Sequence, residues 1–276
     1  MSKIKKALDR AKMDRGTGDD IFVEWQEGQS KGADRSGEPH KIRERVRREV
    51  NPAYTNTRVL DVDPAILRKN RIVSMCSNDR TADQIKILRT EVLKSMGELG
   101  GRTIIVTSPN RGEGKTVTAV NLAVSLAQEL DKTVLLVDAN LRNPAVHRYL
   151  GLNDLPGLSD YLKDKRAVPD LLVNPGINKL TVLPAGKPVQ NSSELMGAPR
   201  MEALVLAMKE RYPDRAIIFD TPSLLTSADP LVLARFVDGV LVVVEAERTS
   251  REELRRAMEL LEGRKIVGTV LNKVRE

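Results

Sequence analysis

Cysteine, aromatic residues and long apolar runs are all scarce in this sequence of 276 residues. The single cysteine, Cys76, excludes an intrachain disulfide and fits a reducing compartment. No apolar run approaches the roughly 20 residues that a membrane-spanning helix needs, and the N-terminus lacks the apolar segment of a signal peptide. We therefore expect a cytoplasmic protein whose membrane attachment, if any, is made through a partner.

The scarcity of aromatic side chains also limits what the basic character of the chain can mean. The formal net charge is +7, whereas the aromatic residues are one Trp, four Tyr and three Phe. A basic balance is typical of proteins that bind nucleic acid, anionic lipid or nucleotide phosphate. Binding of single-stranded nucleic acid uses aromatic stacking platforms, and the basic excess here is not concentrated in one motif. We expect no dedicated nucleic-acid binding.

Residues 1–57 differ in composition from the rest of the chain. Residues 4–11 have the spacing of one short amphipathic helix, and a polar, glycine-containing stretch follows it. Such a composition buries too little apolar surface to offset the entropy lost on ordering. We predict a flexible arm over residues 1–57, with the docking of a partner through Trp25 as the alternative, and one folded domain over residues 58–276.

One helix is predicted before the first long apolar strand. Thr81 is followed three residues later by Gln84, as in a capping box. We therefore expect the helix to begin there, to present an apolar face and to end at a group of glycines. The expected face consists of Ile85, Leu88, Val92 and Met96, and the glycines are Gly97, Gly100 and Gly101.

Apolar runs of strand length then alternate with helical patterns. The runs are continuously apolar, which is typical of strands that are covered on both faces. The alternation predicts an α/β fold, with a mostly parallel sheet and helices on both faces. The predicted strands are 103–106, 133–137, 180–183, 216–219, 239–244 and 266–271, and the predicted helices lie near 115–130, 199–210, 226–236 and 249–262.

A phosphate-binding loop is the strongest chemical signal, and it lies between a predicted strand and an apolar helix. Gly112 and Gly114 allow backbone N–H groups to wrap phosphates, and the helix that starts at Lys115 adds its dipole. The Lys115 ammonium would reach the β- and γ-phosphates, and the Thr116 hydroxyl would ligate Mg²⁺. The alternative is an ordinary turn, because Pro109 replaces the first glycine of the general pattern. The residues assigned to ATP here are Asn110, Arg111, Gly112, Glu113, Gly114, Lys115, Thr116 and Val117.

Carboxylates end two of the predicted strands. Asp138 follows the strand 133–137 and Asp220 follows the strand 216–219. Ligands bind beyond the carboxyl ends of the strands in an open parallel sheet, so both carboxylates should lie beside the phosphate-binding loop. We predict that they hold Mg²⁺, directly or through water, against the bound phosphates.

The end of the chain bears on the choice of nucleotide. Asn272, after the last strand, can hydrogen-bond a nucleobase edge. Recognition of guanine by an N-K-x-D motif needs an aspartate at position 275, and Arg275 has only donors. The sequence therefore favours ATP over GTP.

The three motifs resemble the Walker A, Walker A′ and Walker B motifs of the bacterial tyrosine kinases (BY-kinases), which work in capsule and exopolysaccharide synthesis. They lie at residues 111–116, 137–144 and 218–222, and residues 1–8 and 54–58 resemble the branch linked to exopolysaccharide and exosortase systems. The resemblance implies a P-loop NTPase fold of the deviant Walker type, related to septum-site and partition ATPases.

The resemblance also implies roles for individual residues. Lys115, Asp138 and Asp220 would be catalytic, with Asp138 a candidate base for the attacking tyrosine hydroxyl. Thr116, Asp138 and Asp220 would hold Mg²⁺. Arg142 would lie near the phosphates of ATP, and Asn272 near its adenine.

Partners are implied by the same resemblance. The family's activator is a membrane polysaccharide chain-length regulator with a cytoplasmic tail, which would hold this protein at the inner face of the membrane. The helix Asp83–Arg89 resembles the self-association motif E-x-x-R-x-x-R, with Asp83 and Lys86 in place of Glu and Arg. A homo-oligomer through this helix is the corresponding expectation.

Two departures from the family pattern leave several functions open. Asn140 replaces the second acid of the Walker A′ pattern D-x-D, and the four tyrosines (Tyr54, Tyr149, Tyr161 and Tyr212) are scattered rather than clustered behind the last strand. The leading hypothesis is a Mg-ATP-dependent protein-tyrosine kinase that regulates exopolysaccharide synthesis and export. The second is an ATP-driven assembly switch of the export machinery without kinase activity. A septum-site or partition-type ATPase is third, because Asn110-Arg111 replaces the signature Lys-Gly of that group.

Overall fold

A computed structural model describes residues 57–76, 79–164, 166–211 and 214–274. All of them belong to one compact unit, Arg47–Glu276. The predicted arm, apart from its last residue, and its helix 4–11 with Trp25 lie outside the described residues, so the arm and the domain boundary stay predictions. Within the described ranges, no helix has the length and the apolar character needed to cross a lipid bilayer.

An eight-stranded sheet forms the centre of the described fold, in the order β1-β4-β5-β3-β6-β2-β7-β8. Every neighbouring pair is parallel except β4 and β5. The mostly parallel sheet and all six predicted strands are confirmed to within one residue at each end. The strands are β1 (Arg58–Val59), β2 (Thr103–Thr107), β3 (Thr133–Asp138), β4 (Val173–Asn174), β5 (Leu180–Leu183), β6 (Arg215–Asp220), β7 (Gly239–Glu245) and β8 (Ile266–Asn272).

Helices connect the strands, and the predicted ones are found. The prediction of a helix near 226–236 was too long, because only five of these residues are helical. The helices α1, α4, α5 and α6 were not predicted, since so few turns give no clear periodicity. The helices are α1 (Pro64–Lys69), α2 (Arg80–Glu98), α3 (Lys115–Ala127), α4 (Val146–Tyr149), α5 (Leu158–Asp164), α6 (Ser192–Met196), α7 (Pro199–Arg211), α8 (Asp229–Leu233) and α9 (Arg251–Leu260), with a 3₁₀ turn at Val168–Leu171.

Two apolar layers pack against opposite faces of the sheet. Ile104 and Val106 of β2 belong to one layer, together with α3, and Ile105 belongs to the other. Side chains alternate between the faces of a strand, so a continuously apolar strand supplies both layers. The prediction of helices on both faces is confirmed, and β2 is held rigidly where its carboxyl end leads into the phosphate-binding loop.

Strand β8 departs from this pattern. It lies at one edge of the sheet, and the side chain of Leu271 is 62% exposed. The expectation that every strand is covered on both faces is therefore wrong for β8. As the last strand of the sheet, β8 has a neighbouring strand on one side only. Although α2 packs against it, part of its surface remains exposed to solvent.

The start of α2 also differs from the prediction. The helix begins at Arg80, and its N-cap is Asp79, whose Oδ1 accepts hydrogen bonds from the N–H groups of Thr81 (2.8 Å) and Ala82 (3.2 Å). The capping box predicted at Thr81 is wrong. A carboxylate satisfies two free N–H groups and also interacts favourably with the helix dipole. At the other end the helix continues through Gly97 to Glu98 before Gly100, with a φ of 61°, ends the turn.

The assignment of this cap is testable with two variants. Asp79→Ala should lower the free energy of unfolding by about 1 kcal/mol, because two N–H groups lose their acceptor. Thr81→Ala is the matched control and should change stability little. Urea unfolding followed by circular dichroism measures both. A larger loss in Thr81→Ala than in Asp79→Ala would contradict the assignment.

Candidate functional site

The phosphate-binding loop joins the end of β2 to the start of α3 at the carboxyl edge of the sheet. Gly112 and Gly114 have φ angles of 85° and 95°, a region that suits glycine. A Cβ atom on Gly114 would lie 2.0 Å from Nδ2 of Asn272. Gly114 is therefore required both by the backbone conformation and by the close approach of β8.

Side chains behind the loop hold its shape. Glu113 is 2% exposed, and its carboxylate accepts hydrogen bonds from the N–H of Asn110 (2.9 Å) and from the hydroxyl of Thr249. The side-chain amide of Asn110 donates to Oε1 of Glu253 at 2.9 Å. The side chains of Asn110 and Glu113 thus support the loop from α9 and the segment before it. Sequence reasoning missed Thr249 and Glu253, since they are distant in the chain and carry no motif.

The two predicted carboxylates meet at the ends of adjacent strands. Asp138 and Asp220 are partners in the register of β3 and β6, and both are completely buried. Asp138 accepts hydrogen bonds from the N–H groups of Asn140, Ala145 and Val146 at 2.9–3.1 Å. Oδ2 of Asp220 accepts one from the Thr116 hydroxyl at 2.8 Å, whereas Oδ1 has no partner in the described part of the chain.

Burial dominates the electrostatics of this pair. Desolvation raises the pKa of Asp138 above its usual value, against the opposing effect of its three backbone hydrogen bonds. The pKa of Asp220 is also raised, first by burial and then by the charge of Asp138, while Lys115 and the Thr116 hydroxyl lower it. The effect of burial outweighs that of Lys115, so both buried carboxylates hold protons more tightly than carboxylates in water.

A cleft of about 320 Å³ opens in front of the loop. Six residues that the sequence analysis assigned to ATP line it: Arg111, Gly112, Gly114, Lys115, Thr116 and Arg142. Its charged lining residues are all cationic, which suits a polyanion. Sequence reasoning missed seven further lining residues. Arg148 and Tyr149 come one helical turn after the Walker A′ motif, and three residues with hydroxyl groups follow the Walker B motif. The seven residues are Asn143, Ala145, Arg148, Tyr149, Ser223, Thr226 and Ser227.

Other predicted residues lie beside the cleft rather than in its lining. Asn110, Glu113 and Val117 contribute to the loop and to the start of α3. Asn272 lies behind the loop, where its Nδ2 donates to the carbonyl of Glu113 at 2.8 Å, and Nζ of Lys273 donates to the carbonyl of Gly112 at 2.7 Å. The end of β8 therefore supports the back of the loop.

The donor set suits a hard divalent cation next to phosphate. Oxygen ligands are available from the Thr116 hydroxyl and from the unpartnered Oδ1 of Asp220, with Asn140 in the cleft lining. No cluster of three or more His, Cys, Asp or Glu side chains occurs among the described residues. A site with so few protein ligands fits Mg²⁺, because this ion keeps several of its water ligands and takes others from the phosphates of a nucleotide.

The chain is similar to known nucleotide-binding proteins. Residues 104–276 match the family described as CobQ/CobB/MinD/ParA nucleotide binding domain. The chain is 32% identical over 216 residues to the tyrosine-protein kinase YwqD of Bacillus subtilis (strain 168), a match that covers 75% of this chain and 90% of that protein. The expected relation to septum-site and partition ATPases and to the BY-kinases is confirmed.

Two solved structures have the same fold. The chimerical protein CapA2B2 has a TM-score of 0.70 at 28% identity, covering 79% of this chain and 93% of that one. The kinase domain of the Escherichia coli tyrosine kinase ETK has a TM-score of 0.68 at 25% identity, covering 79% and 91%.

The raised pKa of Asp220 predicts how stability depends on pH. Unfolded Asp220 releases its proton near pH 4 and the folded residue only at higher pH, so ionisation destabilises the fold as pH rises through this window. Asp220→Asn removes this cost and still accepts the hydrogen bond of Thr116. The nucleotide-free variant should therefore be more stable than the native protein at pH 7.5, by more than about 1 kcal/mol, and this advantage should be much smaller at pH 4.5.

Thermal unfolding in EDTA at the two pH values measures this difference. Asp164→Asn, which changes an exposed carboxylate, is the charge-matched control and should show no such dependence. An Asp220→Asn variant that is less stable than the native protein at pH 7.5 would refute the electrostatic assignment.

Proposed function

Because this chain belongs to the CobQ/CobB/MinD/ParA family of nucleotide-binding domains and to its bacterial tyrosine-protein kinases, we propose that it transfers the γ-phosphoryl group of ATP to tyrosine hydroxyls. The protein is an ATP-dependent phosphotransferase, and regulation of exopolysaccharide or capsule synthesis and export is the proposed setting. One observation carries the proposal: a cationic cleft lies directly in front of two buried carboxylates at the start of α3.

In this proposal Lys115 and Arg142 bind the phosphates of ATP, and the loop N–H groups align them for in-line transfer. Thr116, Asp220 and Asp138 would hold Mg²⁺, directly or through water, and the bound cation would supply charge that neutralises the phosphates. Asp138 receives the proton of the attacking tyrosine hydroxyl. The raised pKa of Asp138 supports that role, because a base with a pKa nearer neutrality accepts a proton more readily. The end of β8 at Asn272 is the proposed neighbour of adenine.

The acceptor tyrosine is part of the proposal. Two tyrosines lie in the described ranges. Tyr149 lines the cleft. Tyr161 packs under the guanidinium of Arg200, whose central carbon Cζ lies 4.4 Å from the centre of the tyrosine ring. Tyr54 and Tyr212 lie outside the described residues. A tyrosine of a second copy, or of another protein, can equally reach an open cleft.

A membrane chain-length regulator is the proposed partner, and it would place the protein at the inner face of the membrane. Membership of the bacterial tyrosine-protein kinases is what supports this partner. Self-association through Asp83–Arg89 remains a proposal. In the described protomer Asp83 pairs with Lys86 at 2.8 Å, and Arg89 pairs with Glu129 at 2.8 Å. Both pairs would have to rearrange for these charges to bind a second copy.

Lys115→Ala tests the proposed function. After phosphatase treatment and removal of the phosphatase, the native protein incubated with Mg-ATP should gain mass in steps of one phosphate. Lys115→Ala should lose at least 100-fold in rate because the phosphates lose their positioned cation. Lys187→Ala, which changes an exposed lysine outside the cleft, is the control. Peptide mapping identifies the acceptor. Unchanged phosphorylation in folded Lys115→Ala would refute the site.

Asn140 supports a second candidate function, the ATP-driven assembly switch without kinase activity. Asn140 lines the cleft, and its Oδ1 accepts a hydrogen bond from the N–H of Asn143 at 3.3 Å. An amide brings no charge to the metal site. A switch would show ATP-dependent light scattering without phosphotyrosine. The partition-type function lacks a comparable observation, since Asn110 and Arg111 replace its signature residues.

Asn140→Asp tests whether the missing charge limits activity. A second carboxylate should attract Mg²⁺ more strongly and lower the concentration for half-maximal phosphorylation by roughly tenfold. Titration of Mg²⁺ at fixed ATP measures this value. Asn143→Asp, which changes an asparagine in the same lining, is the matched control. Equal Mg²⁺ dependence in both variants would show that the charge at position 140 has no special role.

A further inference from the structure

Hydrogen bonds of two neighbouring serines lead away from the ATP cleft at Arg142. Nε of Arg142 donates to the hydroxyl of Ser192, the first residue of α6, at 2.8 Å. Ser192 is completely buried. The next residue, Ser193, donates its hydroxyl to Oδ1 of Asp229 at 2.6 Å, and Asp229 is 1% exposed at the start of α8.

The Ser192 hydroxyl is the one hydrogen-bond partner of the Arg142 guanidinium within the described ranges. The residue as a whole is exposed at the cleft, so its two terminal nitrogens remain available to a ligand. The other arginine beside it, Arg148, instead donates to the carbonyl of Pro144 at 2.6 Å. An unrestrained arginine side chain loses rotamer freedom when it binds a phosphate. Because Ser192 already fixes the guanidinium of Arg142 at Nε, Arg142 loses less of this freedom on binding.

Asp229 connects this support to a second segment that lines the cleft. Its backbone N–H donates to the hydroxyl of Ser227, a lining residue, at 3.3 Å. Helices α6 and α8 pack against each other. The N–H of Val189 also donates to the carbonyl of Leu141, next to Arg142, at 2.9 Å. The segment before α6 therefore lies beside the Walker A′ segment. Asp229, through Ser193 and Ser227, links α6 to the segment after β6.

We propose that Ser192 positions the guanidinium of Arg142 for phosphoryl transfer, and that Asp229, through Ser193, holds the serine pair in place. Ser192, Ser193 and Asp229 are positioning residues, since they act through Arg142. The inference deepens the proposed kinase function and rests on it for its activity readout. Positioned cations stabilise the charge on a transferring phosphoryl group, and a displacement of about 1 Å can cost up to 100-fold in rate.

A double-mutant cycle tests the proposal. Ser192→Ala should lower kcat about tenfold and leave KM for ATP nearly unchanged, and Arg142→Ala should lower kcat further. Adding Ser192→Ala to Arg142→Ala should then change nothing more, whereas a general loss of structure would slow both backgrounds equally. Ser125→Ala is the control, because Ser125 is also buried and its hydroxyl has no partner among the described residues.

Two further variants keep the proposal falsifiable if Ser192→Ala folds poorly. Asp229→Asn retains an oxygen that accepts from Ser193 and should keep most of kcat, whereas Asp229→Ala should lose about as much as Ser192→Ala. Ser192→Cys keeps the shape of the side chain with a weaker acceptor and should be intermediate. Native rates in Ser192→Ala, or equal slowing by Ser192→Ala with and without Arg142, would overturn the proposal.

A binding measurement separates this proposal from the proposed function. ADP with Mg²⁺ and aluminium fluoride mimics a phosphoryl group in transfer and needs no tyrosine acceptor. Ser192→Ala should weaken its binding about tenfold and leave the binding of ADP unchanged. If the native protein phosphorylates no tyrosine, the kinase function fails while this measurement still decides the role of Ser192. Equal loss for both ligands would overturn it.

Discussion

Burial of two carboxylates at neighbouring strand ends is the constraint on which the rest of the site depends. Asp138 and Asp220 face each other in register with no access to water, so each raises the cost of ionising the other. Three backbone N–H groups around Asp138, and Lys115 and the Thr116 hydroxyl around Asp220, offset part of this cost. A bound cation would offset the remainder, which is why an arrangement that is unfavourable in the empty fold suits Mg²⁺ and phosphate.

The scaffold keeps that arrangement rigid. Both carboxylates end central strands of a parallel sheet that is covered on its two faces by apolar layers. The loop in front of them is held from behind by Glu113, Asn110 and the end of β8. Positively charged side chains then meet in the cleft from two segments of the chain, 111–115 and 142–148. Precise placement of charge, rather than covalent chemistry, is what phosphoryl transfer asks of a protein.

The sheet, the phosphate-binding loop and both carboxylates could be predicted from the sequence because their signals are local. Apolar runs mark strands, and the glycines and Lys115 stand together before a helix. The short strands β1 and β4 and the helices α4 and α6 could not be predicted, since two to five residues carry no periodicity. Asp79 and Thr81 are both residue types that cap helices, and the one with the stronger acceptor, Asp79, caps α2.

The sequence by itself determined that the phosphate-binding loop, Asp138 and Asp220 meet, because chain order places each of them at the end of a strand at the same edge of a parallel sheet. Only the tertiary structure decided what holds them. Glu113 meets Thr249 across 136 residues and Arg142 meets Ser192 across 50, with no pattern in the chain to link either pair. Such contacts follow from how helices pack on the finished sheet. A buried hydroxyl or carboxylate finds its partner only when packing has excluded water around both.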